Sequence, residues 1–155
     1  MTSTPYAGKR SRIWLVYLVS GLALAGLLAW ATTEEIARNP ARDATADLGT
    51  HGPVTIRFST DPYPALPTGT VVLRFIPMDP RGRGVTIDGL SFEYGREGDE
   101  EVVDVGETQA MSDGSGMWMS AAQFPSVGNW WIRVIFGKGG EQAEVRFTFY
   151  VEPAQ

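Results

Sequence analysis

The feature that most constrains this chain is an alternation of apolar and polar side chains that recurs from residue 53 onward. In residues 54–59 the apolar positions are Val54, Ile56 and Phe58, and a polar residue follows each of them. Successive side chains of a β-strand point to opposite faces, so this pattern predicts strands with one buried face. It is present, strictly or in part, at residues 54–59, 71–76, 85–94, 101–109, 117–124, 130–136 and 144–152.

The predicted strands are short, and turn-forming Gly, Pro and Asp residues separate them. No helical period interrupts them, and about seven such strands in roughly 100 residues are typical of an immunoglobulin-like sandwich. We therefore predict an all-β, immunoglobulin-like sandwich over residues 53–155. The chain has no cysteine, so this core would form without disulfides.

The N-terminal part follows a different pattern, because residues 13–31 carry no charge. As a helix they would be about 28 Å long, close to the thickness of the hydrocarbon core of a bilayer. The basic residues at positions 9–12 predict a cytoplasmic tail over residues 1–12 and an exported C-terminal domain, anchored in a bacterial inner membrane. The alternative is a cleaved signal peptide, since Ala29-Trp30-Ala31 has an A-x-A pattern.

Within the predicted transmembrane helix, Gly21, Ala25 and Ala29 are spaced by four residues. Small residues at this spacing let a neighbouring helix approach closely, which predicts a contact with another membrane subunit. The alternative is that they simply fill a generic anchor. Residues 32–52 are polar and contain Pro40 and the single histidine, His51, so they are predicted to form a linker or stalk.

Charge and composition exclude several functions. The first 33 residues carry three positive charges and no acid, whereas the remainder has 10 basic and 18 acidic residues. An acidic body is poorly suited to nucleic acid. With no cysteine and one histidine, cysteine-ligated metals and Ser-His-Asp catalysis lack their residues, so the chain is not expected to be an enzyme.

The exported part resembles a known family. Residues 115–121 (SGMWMSA) followed by residues 124–134 (FPSVGNWWIRV) are similar to the YtkA-like/FixH-like family of bacterial immunoglobulin-like domains, and residues 53–56 and 77–82 also fit. The resemblance covers residues 53–152. It implies an accessory role around membrane electron-transfer complexes and a similarity to copper-handling domains. Copper-handling relatives combine methionine with a nearby histidine or cysteine, which this stretch lacks.

Methionine is therefore the remaining candidate ligand for copper in this stretch. Met111, Met117 and Met119 lie within nine positions, and thioethers are soft ligands suited to Cu(I). Met117 and Met119 are two residues apart and share one face of a strand. The interpretation that we favour is that they fill a core-facing strand, with no cofactor bound; the alternative is a copper site at all three.

Two tryptophans follow Gly128. Trp130 is predicted to point into the core, and Trp131 toward the other face. Exposure of a tryptophan ring to solvent is unfavourable, so Trp131 is a candidate contact with a partner. The alternative is that a loop of the same chain buries it. The preceding acidic residues are predicted to form a solvated edge and loop, with a basic electron carrier or calcium as alternatives: Glu93, Glu97, Asp99, Glu100, Glu101, Asp104 and Glu107.

These observations predict a non-catalytic accessory or stabilising subunit of a bacterial membrane electron-transfer complex, respiratory or photosynthetic. Its partners would be the bilayer and other membrane subunits, without a cofactor and without nucleic acid. The alternative is a copper carrier that uses the three methionines. A third hypothesis is an exported domain that binds a small ligand after signal cleavage.

Overall fold

The computed structural model describes residues 10–38, 40–99 and 101–153, and within the helix it describes side chains for residues 16–30. The chain divides into a helical unit that ends at Arg38 and a β unit that begins at Asn39, and each is considered by itself. The predicted tail of residues 1–12 lies mostly outside the described residues.

The helical unit consists of helix α1, Arg10–Arg38. It includes the predicted span of residues 13–31, and its described side chains, those of residues 16–30, are exposed. Gly21, Ala25 and Ala29 are among them, and apart from its chain neighbours and the local helix backbone no described atom lies within 4 Å of the position that a Cβ on Gly21 would take. Within the described residues, no helix combines the length and the hydropathy that a membrane span requires.

The β unit has two antiparallel sheets, which confirms the prediction of an all-β sandwich. Its strands are β1 (Arg42–Asp47), β2 (Pro53–Asp61), β3 (Thr70–Met78), β4 (Gly89–Arg96), β5 (Val102–Glu107), β6 (Gln109–Ala110), β7 (Trp118–Gln123), β8 (Gly128–Lys138) and β9 (Glu141–Val151). One sheet has the order β1-β2-β3-β7-β6, and the other has the order β5-β4-β8-β9. The seven predicted strands all correspond to observed ones, and β1 and β6 are additional.

The inner faces of the two sheets enclose a core rich in aromatic rings. The ring of Phe58 on β2 lies 5.4 Å from that of Phe75 on β3 and 5.2 Å from that of Phe147 on β9, so contacts cross between the sheets. Trp130 is 1% exposed, and its Nε1 donates to the carbonyl of Ser126 at 2.9 Å. The prediction that Trp130 is a core residue is therefore confirmed.

The structure differs from the linker prediction in residues 32–52. Helix α1 continues to Arg38, and residues 42–47 form β1, which pairs with β2 from Arg42 opposite Phe58 to Asp47 opposite Pro53. A short 3₁₀ helix, Gly49–His51, then leads into β2, and Leu48 is fully buried. The linker prediction failed because β1 contributes only Ala44 and Ala46 to the core, and alanines produce no visible alternation of large apolar residues.

Two connections position the later strands. β8 and β9 are joined by Gly139 and Gly140, whose φ angles of 59° and 86° are those that a tight hairpin turn with positive φ at both central residues requires. A two-residue turn therefore joins these strands, with Lys138 opposite Glu141. The β4–β5 ladder shifts register between Tyr94 and Gly95, where β5 has one extra residue, Val103, so the start of β5 departs from the regular ladder.

Candidate functional site

The three candidate methionines come together on a hairpin at the edge of the five-stranded sheet. Gln109 is opposite Met119, and Ala110 is opposite Trp118, in the β6–β7 ladder. The next step of this ladder is a hydrogen bond in which the N–H of Met111 donates to the carbonyl of Met117 at 2.8 Å. Met111 and Met117 therefore lie opposite one another, where Cβ atoms are about 4.5–5.5 Å apart.

Met117 and Met119 are two residues apart, so they share a face with each other and with Met111. This face is the outer face of the sheet, because Trp118 between them is the residue that packs against the core. Our prediction that Met117 and Met119 are core-facing is thus wrong. The larger apolar ring of Trp118 takes the inner position, and the thioethers are left half-buried, with Met111 40% exposed.

The loop that closes this hairpin is held by local hydrogen bonds. The N–H of Ser115 donates to Asp113 Oδ1 at 2.9 Å, and the N–H of Met117 donates to Ser115 Oγ at 3.2 Å. Hydrogen bonds from Ser115 also lower the pKa of Asp113. Gly114 and Gly116 have positive φ, as such a turn requires. The sequence signal that could have placed Met111 opposite Met117 is therefore the intervening Asp113-Gly114 turn.

Neighbouring charges on this face are paired with one another. Met119 is opposite Arg74 of β3, and the Arg74 guanidinium forms an ion pair with Asp61 of β2. Further along the same face, Arg57 pairs with Asp43 at 2.8 Å, and its hydrogen bond holds the pKa of Asp43 below its usual range. A cation bound at the methionines would therefore face a neutralised arginine rather than a free positive charge.

His51 does not join the methionines. It ends the 3₁₀ helix, and a Cβ added to Gly139 of the β8–β9 turn would lie 2.8 Å from its Nε2, so the imidazole packs against that turn. Beside it, the N–H and hydroxyl of Thr50 donate to Glu141 Oε2 and lower the pKa of Glu141. Among the described residues, no three histidines or carboxylates cluster as a metal site.

The burial of Trp131 also differs from the prediction. It lies on the outer face of the four-stranded sheet but is only 4% exposed. Its Nε1 donates to the carbonyl of Asp99 at 3.1 Å, and the guanidinium of Arg146 lies 4.7 Å from its ring centroid. The β4–β5 connection and Arg146 therefore cover the ring, which is the alternative that the sequence left open. The prediction of Trp131 as an accessible partner contact is wrong for this reason.

The acidic stretch divides between two settings. Glu93 on β4 is half-buried in an ion pair with Arg133 of β8. The residues that follow lie in the β4–β5 connection and on β5, the outermost strand of its sheet, and most of the described ones are exposed. This arrangement agrees with the predicted solvated edge. Glu107 also lies in the wall of a cavity of about 570 Å³, together with Trp118, Asp88 and Lys138.

Comparison with known proteins gives a likeness of fold. FetP of uropathogenic E. coli strain F11 is 14% identical, with a TM-score of 0.50 over 72% of this chain and 93% of FetP. A copper-bound variant of FetP is 12% identical, with a TM-score of 0.52 over 73% of this chain and 95% of its own. CopC from Methylosinus trichosporium OB3b is 17% identical, with a lower TM-score of 0.44 over 74% and 97%.

No protein-family model matches the chain, and no curated protein matches it. The resemblance to the YtkA-like/FixH-like family thus stays a prediction. The likeness to FetP supports the β-sandwich fold.

Proposed function

We propose that the sandwich, which we class as immunoglobulin-like, binds Cu(I) through the thioethers of Met111, Met117 and Met119. The observation that carries the proposal is the register of the β6–β7 hairpin, which puts all three side chains on one outer face. This favours the copper alternative over the interpretation that the methionines fill the core. The copper-bound FetP variant, similar in fold, supports it further.

The donor set decides the oxidation state. Three thioethers without a histidine or cysteine beside them are soft ligands, and soft ligands select Cu(I) over harder divalent ions. Met111 is exposed and the other two methionines are half-buried, so a copper ion could be delivered from solvent and released again. Such a site suits a carrier or chaperone rather than a catalyst. The domain would act outside the cytoplasm, as the charge asymmetry of the sequence predicts.

The test is a Cu(I) titration of the full chain in mild detergent against a chromophoric Cu(I) chelator. We expect one Cu(I) per chain, and we expect the triple variant Met111→Leu, Met117→Leu, Met119→Leu to lose competition with the chelator. Met78→Leu is the matched control, because Met78 is buried at the end of β3 and is not part of the β6–β7 ladder. A triple variant that binds as well as the wild type, or a wild type that does not bind, would refute the proposal.

A second function is supported by α1. The described part of this helix exposes large apolar side chains at nearly every turn, among them Leu22, Leu24, Leu27 and Trp30. Apolar surface of this extent on a helix is typical of contact with lipid or with another apolar helix. We therefore propose that α1 anchors the chain in a bacterial inner membrane and joins it to an electron-transfer complex as an accessory subunit. Gly21, Ala25 and Ala29 would form the contact.

This second proposal is tested by extracting native membranes in mild detergent and following the chain by native electrophoresis. We expect it to migrate with larger subunits, and we expect Ala25→Leu to release it, because a larger side chain prevents close helix approach. Leu24→Ala is the matched control on a neighbouring position of the same helix. Migration of the wild-type chain as a monomer under all conditions would contradict the proposal.

A further inference from the structure

The edge of the four-stranded sheet formed by β5 has properties that set it apart from the other edges. β5 pairs with β4 on one side, and no strand pairs with its other side among the residues that the structure describes; there the hydroxyl of Ser120 on β7 donates to the carbonyl of Glu107 at 2.9 Å. An edge strand of six residues presents N–H and C=O groups that another extended chain can pair with. Proteins usually protect such edges against pairing with another chain. The side chains of β5 determine how far this edge is protected.

β5 exposes three valines. Val102, Val103 and Val105 are 36%, 49% and 65% exposed, and all three lie on this one short strand. The other large apolar side chains that the described part of the sandwich exposes stand apart from one another: Tyr63, Met111 and Tyr150. Single exposed apolar residues are normal, whereas three on one edge strand indicate a contact site.

The charged residues of β5 and of the segments that flank it in sequence are acidic. Residues 97–132 contain seven acidic residues and no lysine or arginine. Those that are described take part in none of the ion pairs found in the described part of the chain, which instead use Asp43, Asp61, Asp79 and Glu93. Two β5 edges would therefore repel one another. An extended segment with lysine or arginine between its apolar residues would be attracted.

The carboxylate of Asp104 is hydrogen-bonded to the main chain of this edge. Its Oδ1 accepts a hydrogen bond from the N–H of Val105 at 2.8 Å, so this main-chain donor is satisfied within β5 itself. A basic side chain on an incoming strand offers the carboxylate of Asp104 a stronger partner, because hydrogen bonds between ionised groups are stronger than neutral ones. The N–H of Val105 would then be released for pairing with the new strand.

From these observations we propose that β5 is a docking site for an extended, basic segment of a partner protein, which adds to the sheet as a fifth strand. The valines provide apolar contact for alternate side chains of the segment, the main chain provides hydrogen bonds, and the acidic residues select for positive charge. The site lies on the sheet that does not carry the methionines, and the inference does not depend on copper binding.

The test uses a dye-labelled peptide of six residues, acetyl-Lys-Val-Lys-Val-Lys-Val-amide, and the full chain in mild detergent. Fluorescence anisotropy should show saturable binding at low salt. Val105→Lys should weaken it roughly tenfold or more, because like charges then face one another across the contact. Tyr150→Lys makes the same change of charge at an exposed site on β9, the opposite edge strand, and should leave affinity within about twofold.

Backbone pairing is tested separately with the same peptide methylated at alternate main-chain nitrogens, which removes donors but keeps all charges. We expect roughly tenfold weaker binding, because the added strand loses its hydrogen bonds. The proposal is overturned if the methylated peptide binds equally well, if Tyr150→Lys weakens binding as much as Val105→Lys, or if no peptide binds. Dimerisation of the chain through β5 in sedimentation experiments would overturn it too.

Discussion

At the residue scale, the adjacent tryptophans of β8 show how one strand places two large rings in different environments. Trp130 packs among the aromatic rings between the sheets, and Trp131 packs outside them. The outer ring is buried because Gly95 of β4, opposite Trp131 in register, has no side chain and leaves room for it. A Cβ on Gly95 would lie 2.5 Å from Trp131 Cζ2 and 2.5 Å from the carbonyl oxygen of Glu101.

Substitution of this glycine should therefore disturb the cover of Trp131. Gly95→Ala is expected to lower the free energy of unfolding by about 1–3 kcal/mol, the usual range for overpacking a filled site. Urea unfolding followed by tryptophan fluorescence measures the change, and the emission of the native variant should shift to the red as Trp131 becomes exposed.

Gly89→Ala provides the control for this prediction. It lies on the same strand, and apart from its chain neighbours no described atom is within 4 Å of the Cβ that it would gain, so its effect should stay within about 0.5 kcal/mol. If the two variants were equally stable, Gly95 would not be needed for the packing of Trp131.

At the scale of elements, β1 is the strand that the sequence did not reveal. Its ladder with β2 is reinforced by the Asp43–Arg57 ion pair and by a hydrogen bond between the hydroxyls of Thr45 and Thr55 at 2.7 Å. Both contacts lie on the exposed face, where such pairs are individually worth about 1 kcal/mol or less. Leu48, which follows β1, is fully buried and ties the segment to the core.

This arrangement predicts where a stable fragment must begin. A fragment of residues 40–155 keeps β1 and Leu48 and should fold, whereas a fragment of residues 53–155, the domain predicted from the sequence, loses both. Burial of one leucine alone is worth about 1.5–3 kcal/mol, so the shorter fragment should be less stable by at least roughly this amount. Thermal unfolding by circular dichroism compares the two, and equal midpoints would show that β1 is dispensable.

At the scale of the whole molecule, the sequence predicted the architecture better than the site. Period-two alternation marks each strand that contributes large apolar residues to the core, which is why the sandwich and the position of Trp130 were predicted correctly. The sequence does not predict the orientation of β7, because Met117, Trp118 and Met119 are all apolar. Apolar residues point inward whichever face of this strand is buried. Only the tertiary register, with Trp118 opposite Phe75, decides between the two phases.

Sequence pattern is also insufficient to predict the contacts of Trp131 and of the small residues of α1, Gly21, Ala25 and Ala29. Whether an outward tryptophan is covered depends on a loop and on Arg146, which are 32 and 15 residues away in the sequence, so local pattern cannot decide it. For the small residues of α1, the predicted contact depends on a helix of another chain. Local periodicity therefore predicts which strands exist, whereas contacts between distant segments determine what their outer faces can bind.

The direct succession of α1 and β1 has a mechanical consequence. Only residues 39–41 separate Arg38 from Arg42, so tension transmitted along the chain from α1 reaches β1 before any other strand. Because Arg42 lies at the open end of the β1–β2 hairpin, such a load would break the ladder one pair at a time. Detachment of all of β1 would release about 20 Å of extended chain and would stop at Leu48, which is buried. Under tension β1 would therefore unfold before any load reaches the core.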